Sequence, residues 1–436
     1  MGYAVNTLEH HFLPFTANRD FKANPRLIVK GEGVFYWNHK GEKILDGSSG
    51  LFCCAAGHAR KEIADAVAKQ LMEVEFTPHF GLAHPSSFEV ARRIAALAPE
   101  GLNRVFFGNS GSEAVDSAMK IALAYFRAKG EGHRVRFVAR ERAYHGVNFG
   151  GTSLQGMVKN REAFGVLLPG VVHMRHTWLP ENRFTQGQPS SGKELADDLQ
   201  RFCDTYGGGT IAACFVEPIA GSTGVLVPPK GYLERLRAIC DRHGILLVFD
   251  EVITGIGRTG KAFAAQSFAV KPDMITFAKA ITNAAQPMGG VVMKEEIYDT
   301  IVNAAPEGAI ELFHGYTYSA HPAACAAALA TLDIYEREGL FQRAAELSPY
   351  FLDAVFSLKD EAGITDIRGY GLIAGFDVEP GKTPGARGAA FQKKLFANGL
   401  HVKCTGDAGI IAPPFVAERK HIDQIVDIIR KSLKEI

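Results

Sequence analysis

A chain of 436 residues, 47% hydrophobic and 22% charged, has the composition of a soluble globular protein long enough for two or three domains. Its 48 basic and 47 acidic residues leave a formal net charge of +1, and no basic block stands out, which argues against nucleic acid or a membrane surface as partner. The longest apolar runs fall far short of a membrane span, and Met1 to Phe15 has no apolar core of a signal peptide, so a cytoplasmic location is expected.

Seven cysteines, an odd number with no C-x-x-C, fit a reducing compartment better than a disulfide framework or a zinc knuckle. Cys53-Cys54 reads as small apolar packing. Along the chain, Gly33–Trp37, a polar turn and the return run to Asp46 look like a hairpin. Ala59–Val74 has helical periodicity. From about Phe88 to Ala320 helix and strand alternate. Candidate strands are Arg104–Phe107, Val135–Ala139, Ile211–Val216, Ile245–Phe249, Met274–Phe277 and Gly290–Met293. Helices fill Ser112–Lys129, Lys193–Tyr206 and Tyr232–His243. That alternation predicts an α/β fold with a mostly parallel, doubly wound sheet. A second αβ unit begins at Ala323, with helices over Ala323–Glu338 and Gln342–Leu358. Strands Leu372–Val378 and His401–Cys404 and a last helix His421–Glu435 follow. The expected division is an N-terminal segment 1–60, a large unit 61–322 and a small unit 323–436.

The chemistry concentrates in two runs. Ile245–Phe249 ends in Asp250, and Met274–Phe277 ends in Ala278-Lys279. Continuous apolar runs of this kind read as strands buried on both faces, and open α/β sheets place ligand-binding groups at the carboxyl ends of such strands. The acid and the amine are 29 positions apart, about one strand–helix–strand unit. Pyridoxal phosphate needs both groups: its aldehyde condenses with a lysine amine and its ring nitrogen pairs with an aspartate. Asn109-Ser110-Gly111-Ser112-Glu113 follows a strand and opens a helix, where a tight glycine turn, two hydroxyls and unpaired N–H groups suit a phosphate. The same residues also suit simple helix capping. Tyr144-His145-Gly146 lies past another strand and offers an aromatic to stack on a ring, and Glu217-Pro218 closes a third apolar run with an acid.

Gly255-Ile-Gly-Arg-Thr-Gly260 matches the G-x-G-x-x-G pattern literally, and Gly255 to Lys261 matches the start of a P-loop. Ala262 stands where a P-loop needs Ser or Thr, and five residues separate Gly255 from the strand, so a nucleotide-binding protein is the weaker alternative. The glycines are expected to shape a turn that lets Asp250 reach a cofactor. No H-E-x-x-H or G-x-S-x-G occurs, and no metal site is expected.

Taken together, Asn109–Ala114, Tyr144–Gly146, Glu217-Pro218, Asp250–Arg258, Ala278-Lys279 and His314–Pro322 occur in the order that resembles class III aminotransferases of fold type I. The pattern is most similar to the ω-amino acid:pyruvate (β-alanine:pyruvate) subgroup. The resemblance implies pyridoxal 5'-phosphate as cofactor and transfer of an amino group from an ω-amino acid or amine to pyruvate by a ping-pong mechanism. Within the same cofactor class an aminomutase or a decarboxylating transaminase is the alternative. The resemblance further implies Lys279 and Asp250 as catalytic residues. Tyr144 and Val252 would lie on the two ring faces, Glu217 would sit near Asp250, and His145 would be among the cofactor-binding residues. Ser110, Gly111 and Ser112 would hold the phosphate, joined by Thr317 across the interface of a homodimer, or of a tetramer. Phe52 and Lys403 would be substrate-binding residues. Two positions depart from the pattern: Lys403 replaces a carboxylate-binding Arg, and Asn283-Ala284-Ala285 replaces Asn-Gly-Ala. Lysine presents a point charge where Arg presents a fork. Borohydride reduction and peptide mapping are expected to place the cofactor on Lys279; a label on any other lysine overturns the reading.

Overall fold

The computed structural model describes residues 7–165 and 167–435. The reading of Met1–Phe15 therefore lies partly outside the described residues. The N-terminal part forms an antiparallel meander of β1 (Ile28–Glu32), β2 (Phe35–Asn38) and β3 (Lys43–Asp46). β2 and β3 are the hairpin read from the sequence.

Seven strands build the main sheet: β4 (Leu102–Gly108), β5 (Arg136–Arg140), β6 (Val171–Met174), β7 (Ile211–Val216), β8 (Leu246–Asp250), β9 (Met274–Phe277) and β10 (Gly289–Lys294). Their order is β4-β10-β9-β8-β7-β5-β6. β10 runs antiparallel to both its neighbours, whereas the pairs from β9 to β6 are parallel. β7, β8 and β9 are buried along their whole length, as continuous apolar runs require. β6 was not expected. It is a four-residue edge strand with no long apolar run, and its pairing with β5 comes from the assembled sheet. Helix Gly111–Ala128 packs between strand and surface, with Val115, Phe126, Phe215 and Val248 in one core layer. The expected helix Lys193–Tyr206 begins as a 3-10 turn and becomes α-helical at Asp197.

The C-terminal part contributes β11 (Ile364–Tyr370), β12 (Ile373–Val378), β13 (Leu400–His401), β14 (Lys403–Thr405) and β15 (Ala408–Ile411). The expected strand His401–Cys404 is split. β13 pairs in parallel with β3 of the N-terminal meander, while β14 pairs with β15 in a separate sheet of order β11-β12-β15-β14. The chain thus changes sheets at Val402, which is buried.

Within the glycine stretch 255–260, Gly255 lies in the turn after Asp250, its N–H donating to the Glu251 carbonyl at 2.9 Å, while Gly257 and Gly260 serve this seam. Gly257 has φ +95, and a Cβ there would lie 2.3 Å from Phe341 Cδ1 and 2.8 Å from Phe415 Cε2. Gly260, at φ +85, is 2.9 Å by the same construction from Ala345 Cβ. Between them the buried Arg258 donates to the carbonyls of Leu372 and Pro413 and to Ser49 Oγ, at 3.1, 2.7 and 3.2 Å. One guanidinium therefore ties the N-terminal, central and C-terminal parts of the chain. Gly257→Ala is expected to lower stability by about 2 kcal/mol or more, through overpacking and a left-handed backbone together. Thermal unfolding monitored by circular dichroism measures it; an unchanged midpoint overturns this account.

Candidate active site

The loops after β4, β5, β7, β8 and β9 meet at the carboxyl edge of the main sheet, where doubly wound folds bind ligands. They enclose a cavity of about 320 Å³. Ser110, Gly111, Ser112, Tyr144 and His145 line one side; Glu217, Asp250, Val252 and Lys279 line the rest. Nine residues singled out in the sequence are thus brought to one place.

Asp250 is 5% exposed at the end of β8. Its Oδ2 lies 2.8 Å from His145 Nδ1, and its Oδ1 accepts from Thr276 Oγ1 at 3.1 Å and from the Val252 N–H at 3.2 Å. Nε2 of the buried His145 has no hydrogen-bond partner among the described residues. Three neighbours thus fix the carboxylate while it still borders the cavity.

Lys279 follows β9 with φ +53, a conformation that costs a non-glycine residue of order 1 kcal/mol. Its Nζ donates to the Leu51 carbonyl at 3.2 Å and lies 5.5 Å from the centroid of the Phe52 ring. No carboxylate pairs with it among the described residues. Leu51 and Phe52 belong to a loop with left-handed residues at Ser49, Gly50 and Phe52. The buried Asp46 holds that loop: Oδ1 accepts from Ser48 N–H, and Oδ2 accepts from Gly50 N–H and lies 2.7 Å from His58 Nε2. Phe52 is 2% exposed and packs in the core behind the site, while the adjacent Cys53 lines the cavity. Lys403 sits on β14, half-buried, and its backbone N–H donates to Ser48 Oγ at 3.0 Å. Burial pushes its amine below the usual lysine range, and nearby Lys279 adds in the same direction. Thr317 is exposed and does not line the cavity of its own chain.

At the opposite end, helix Gly111–Ala128 points its first turn at the cavity, with the unpaired N–H groups and dipole that favour an anion. The hydroxyls have protein partners: Ser110 Oγ caps Glu113 N–H at 3.1 Å, and Ser112 Oγ accepts from Val147 N–H at 3.1 Å. Both the capping and the anion reading of this turn are therefore compatible with it. A Cβ on Gly111 would lie 2.8 Å from Val252 Cγ1, and one on Gly146 would lie 2.5 Å from Ser112 Oγ. Only glycine leaves this cradle open. A carboxylate at one end, an unpaired amine at the other, a glycine cradle at a helix start and an aromatic wall fit pyridoxal phosphate.

Asn109 and Ala284, noted in the motifs, also line the cavity, as do Cys53, Thr282, Gln286, Pro287 and Met288, which no local pattern assigned to it. Cys53 is therefore a wall residue rather than packing beside Phe52. It donates to the same Leu51 carbonyl as Lys279, at 3.0 Å. Ala284 has φ +61, so alanine occupies a backbone conformation that favours glycine. That is the physical consequence of the Asn-Ala-Ala departure: roughly 1 kcal/mol of strain at a methyl that faces the site.

Glu217 accepts from the N–H groups of Tyr144 and Gly221, both at 2.9 Å, and so fastens the Tyr144 loop to β7. Burial raises its carboxyl from an ordinary value of 4.5 to about 7. The folded protein therefore holds a proton between about pH 4.5 and 7 that the unfolded chain releases. Stability should fall as pH rises through that window and level off above it. The shift corresponds to on the order of 3 kcal/mol. Burial raises Glu251, which caps Ala264 and Ala265, to about 7 as well. Glu217→Gln should remove about half of the loss measured by denaturant unfolding of the cofactor-free protein between pH 5 and 7.5; an unchanged slope overturns the assignment.

The family model for class III aminotransferases matches residues 16–433. The chain is 51% identical over 436 residues to an omega-aminotransferase of Caulobacter vibrioides, covering 100% of this chain and 99% of that one. It is 46% identical over 432 residues to the beta-alanine–pyruvate aminotransferase of Pseudomonas aeruginosa, covering 98% and 96%. Among solved structures, an (S)-enantioselective omega-transaminase from Thermomicrobium roseum superposes with TM-score 0.91 at 36% identity, over 98% and 96% of the two chains. An omega-transaminase from Pseudomonas jessenii in complex with PMP does so with TM-score 0.92 at 30% identity, again over 98% and 96%. With strand order, site geometry and these likenesses in agreement, the chain belongs to the class III aminotransferases and is a pyridoxal-phosphate-dependent enzyme.

Proposed function

We infer that this aminotransferase moves a terminal or β-amino group, as from β-alanine, to pyruvate. The observation that carries the reading is the convergence of Asp250 and Lys279, which has no carboxylate partner among the described residues, on one cavity, with the Phe52 ring 5.5 Å from the lysine amine. The printed activities of the relatives support the substrate class. The bound cofactor supplies an aldehyde for the amine and a ring that draws the electron pair from the donor carbon. Lys279 Nζ holds the cofactor and, once displaced, takes the proton from the donor carbon. Asp250, oriented by His145 and Thr276, keeps the ring nitrogen protonated. Tyr144 and Val252 would pack against the ring, and Gly111 and Ser112 would hold the phosphate. Lys403 takes the keto-acid carboxylate as a point charge.

The reading includes a homodimer. Phe80, Leu82, Phe88, Phe313 and Tyr318, on two stretches of the chain, are each 59% or more exposed, and exposed apolar residues of this size support a subunit interface. Thr317, exposed between Phe313 and Tyr318, would complete the partner's phosphate site. The small unit is assigned to 1–60 with 323–436, supported by the β3–β13 pairing, and the large one to 61–322.

An amine-donor panel with pyruvate and 2-oxoglutarate as acceptors, followed by visible absorption and product analysis, tests the function. Turnover with β-alanine or another terminal amine and a preference for pyruvate are expected; products of mutase or decarboxylation chemistry, or 2-oxoglutarate alone as acceptor, overturn it. Lys403→Arg should lower the pyruvate KM. Lys403→Ala should cost roughly 1–3 kcal/mol in kcat/KM. Unchanged pyruvate kinetics in Lys403→Ala would assign the carboxylate to other donors.

A further inference from the structure

A second, larger cavity of about 810 Å³ lies between the loop after β5 and the C-terminal sheet. It shares no lining residue with the cofactor cavity. Arg142, Lys159 and Arg183 line it, and none of the three is ion-paired among the described residues. The acids that also line it are already used. Asp366 accepts from Trp178 Nε1, Phe184 N–H and Arg368, Asp377 accepts twice from Arg368, and Asp407 accepts from Gly385 and Gly388 N–H. The cations, unlike these acids, have most of their hydrogen-bonding capacity left for a ligand.

Arg142 is the central group. It has φ +50, a strained backbone for arginine, and strain of this kind marks positions held by their surroundings. The side chain is mostly hidden, yet of its five donors only Nη2 bonds to protein, to the Thr223 carbonyl at 3.2 Å. Thr223 Oγ1 returns a bond to the Arg142 carbonyl at 2.6 Å. Burial and neighbouring Arg368 disfavour the charge on Arg142, while Asp377 and Asp366 offset part of that effect without forming an ion pair to it. The guanidinium carbons of Arg142 and Arg183 lie 6.0 and 5.5 Å from the Trp178 ring centroid, which places two forks around one flat apolar surface. Guanidinium forks match carboxylate and phosphate oxygens.

We propose that this cavity is a binding site for a small organic anion, carboxylate or phosphate, whose charge is taken by Arg142 and Arg183 beside Trp178. Its floor is tied to the cofactor pocket: Arg142 and Thr223 stand two residues from Tyr144 and Gly221, the two positions that Glu217 holds.

The test uses the holoenzyme in low-salt, anion-poor buffer with Trp37→Phe, which leaves Trp178 as the sole tryptophan. Citrate and inorganic phosphate are titrated separately, followed by Trp178 fluorescence, and the arm that saturates distinguishes the two chemistries. Saturable binding is expected with at least one of them, weakened tenfold or more in Arg142→Asn, which tolerates the left-handed backbone, and independently in Arg183→Gln. Arg142→Lys should retain part of the affinity. No saturable change below roughly 10 mM of either anion, an affinity too weak to matter, overturns the proposal, as does affinity in both charge-removing variants equal to that of the parent that keeps Arg142 and Arg183. The visible cofactor band and turnover without added anion are read in parallel, so failure here is separate from failure of the transaminase reading.

Discussion

A carboxylate at the end of a strand buried on both faces is the constraint around which the site is built. Asp250 is 5% exposed, and a buried charge left unpaired costs several kcal/mol. Three elements meet that cost: the loop after β5 through His145, β9 through Thr276, and the chain's own turn through the Val252 N–H. Each of these partners also carries a wall of the cavity. Fixing the acid therefore fixes Tyr144 beside His145, Val252 beside the glycine cradle, and the exit of β9 toward Lys279.

The opposite wall depends on a second buried acid. Asp46 and His58 close the loop that carries Leu51, Phe52 and Cys53, and three left-handed residues bend it toward Lys279. His401 reaches the same loop through the Gly50 carbonyl at 2.8 Å. Because β13 pairs with β3 and β14 pairs with β15, the chain around Val402 joins two sheets, and Lys403 is presented at the seam between them. Arg258 clamps that seam from below. The substrate side of the site thus rests on contacts between the two ends of the sequence.

Buried groups that titrate near neutrality, Glu217 and Glu251, carry no charge to the substrate; they accept backbone N–H groups and hold loop starts in place. Left-handed residues at Lys279, Asn283 and Ala284 show strain stored in the turn that presents the lysine. Packing elsewhere compensates for it, with one contiguous core running from Leu45 through Phe249 and Ile275 to Phe376 and Ile425.

The sequence by itself determined the strands that end in Asp250 and Lys279, because a run buried on both faces must be apolar throughout and stops visibly at its first charge. It likewise determined the helix that opens at Gly111 and the hairpin of β2 and β3, whose signals are local. Only the tertiary structure decided the rest. β6 is an edge strand whose pairing is supplied by its neighbour. The strand read as continuous from His401 to Cys404 divides because two different sheets compete for it. Cys53 and Ala284 face the cavity through left-handed turns that sequence periodicity does not encode. Gly257 and Gly260, read only as part of a turn for Asp250, are small because Phe341, Phe415 and Ala345 press against them. In each case the deciding contact joins residues far apart in the chain, and pattern within a short window carries no record of it.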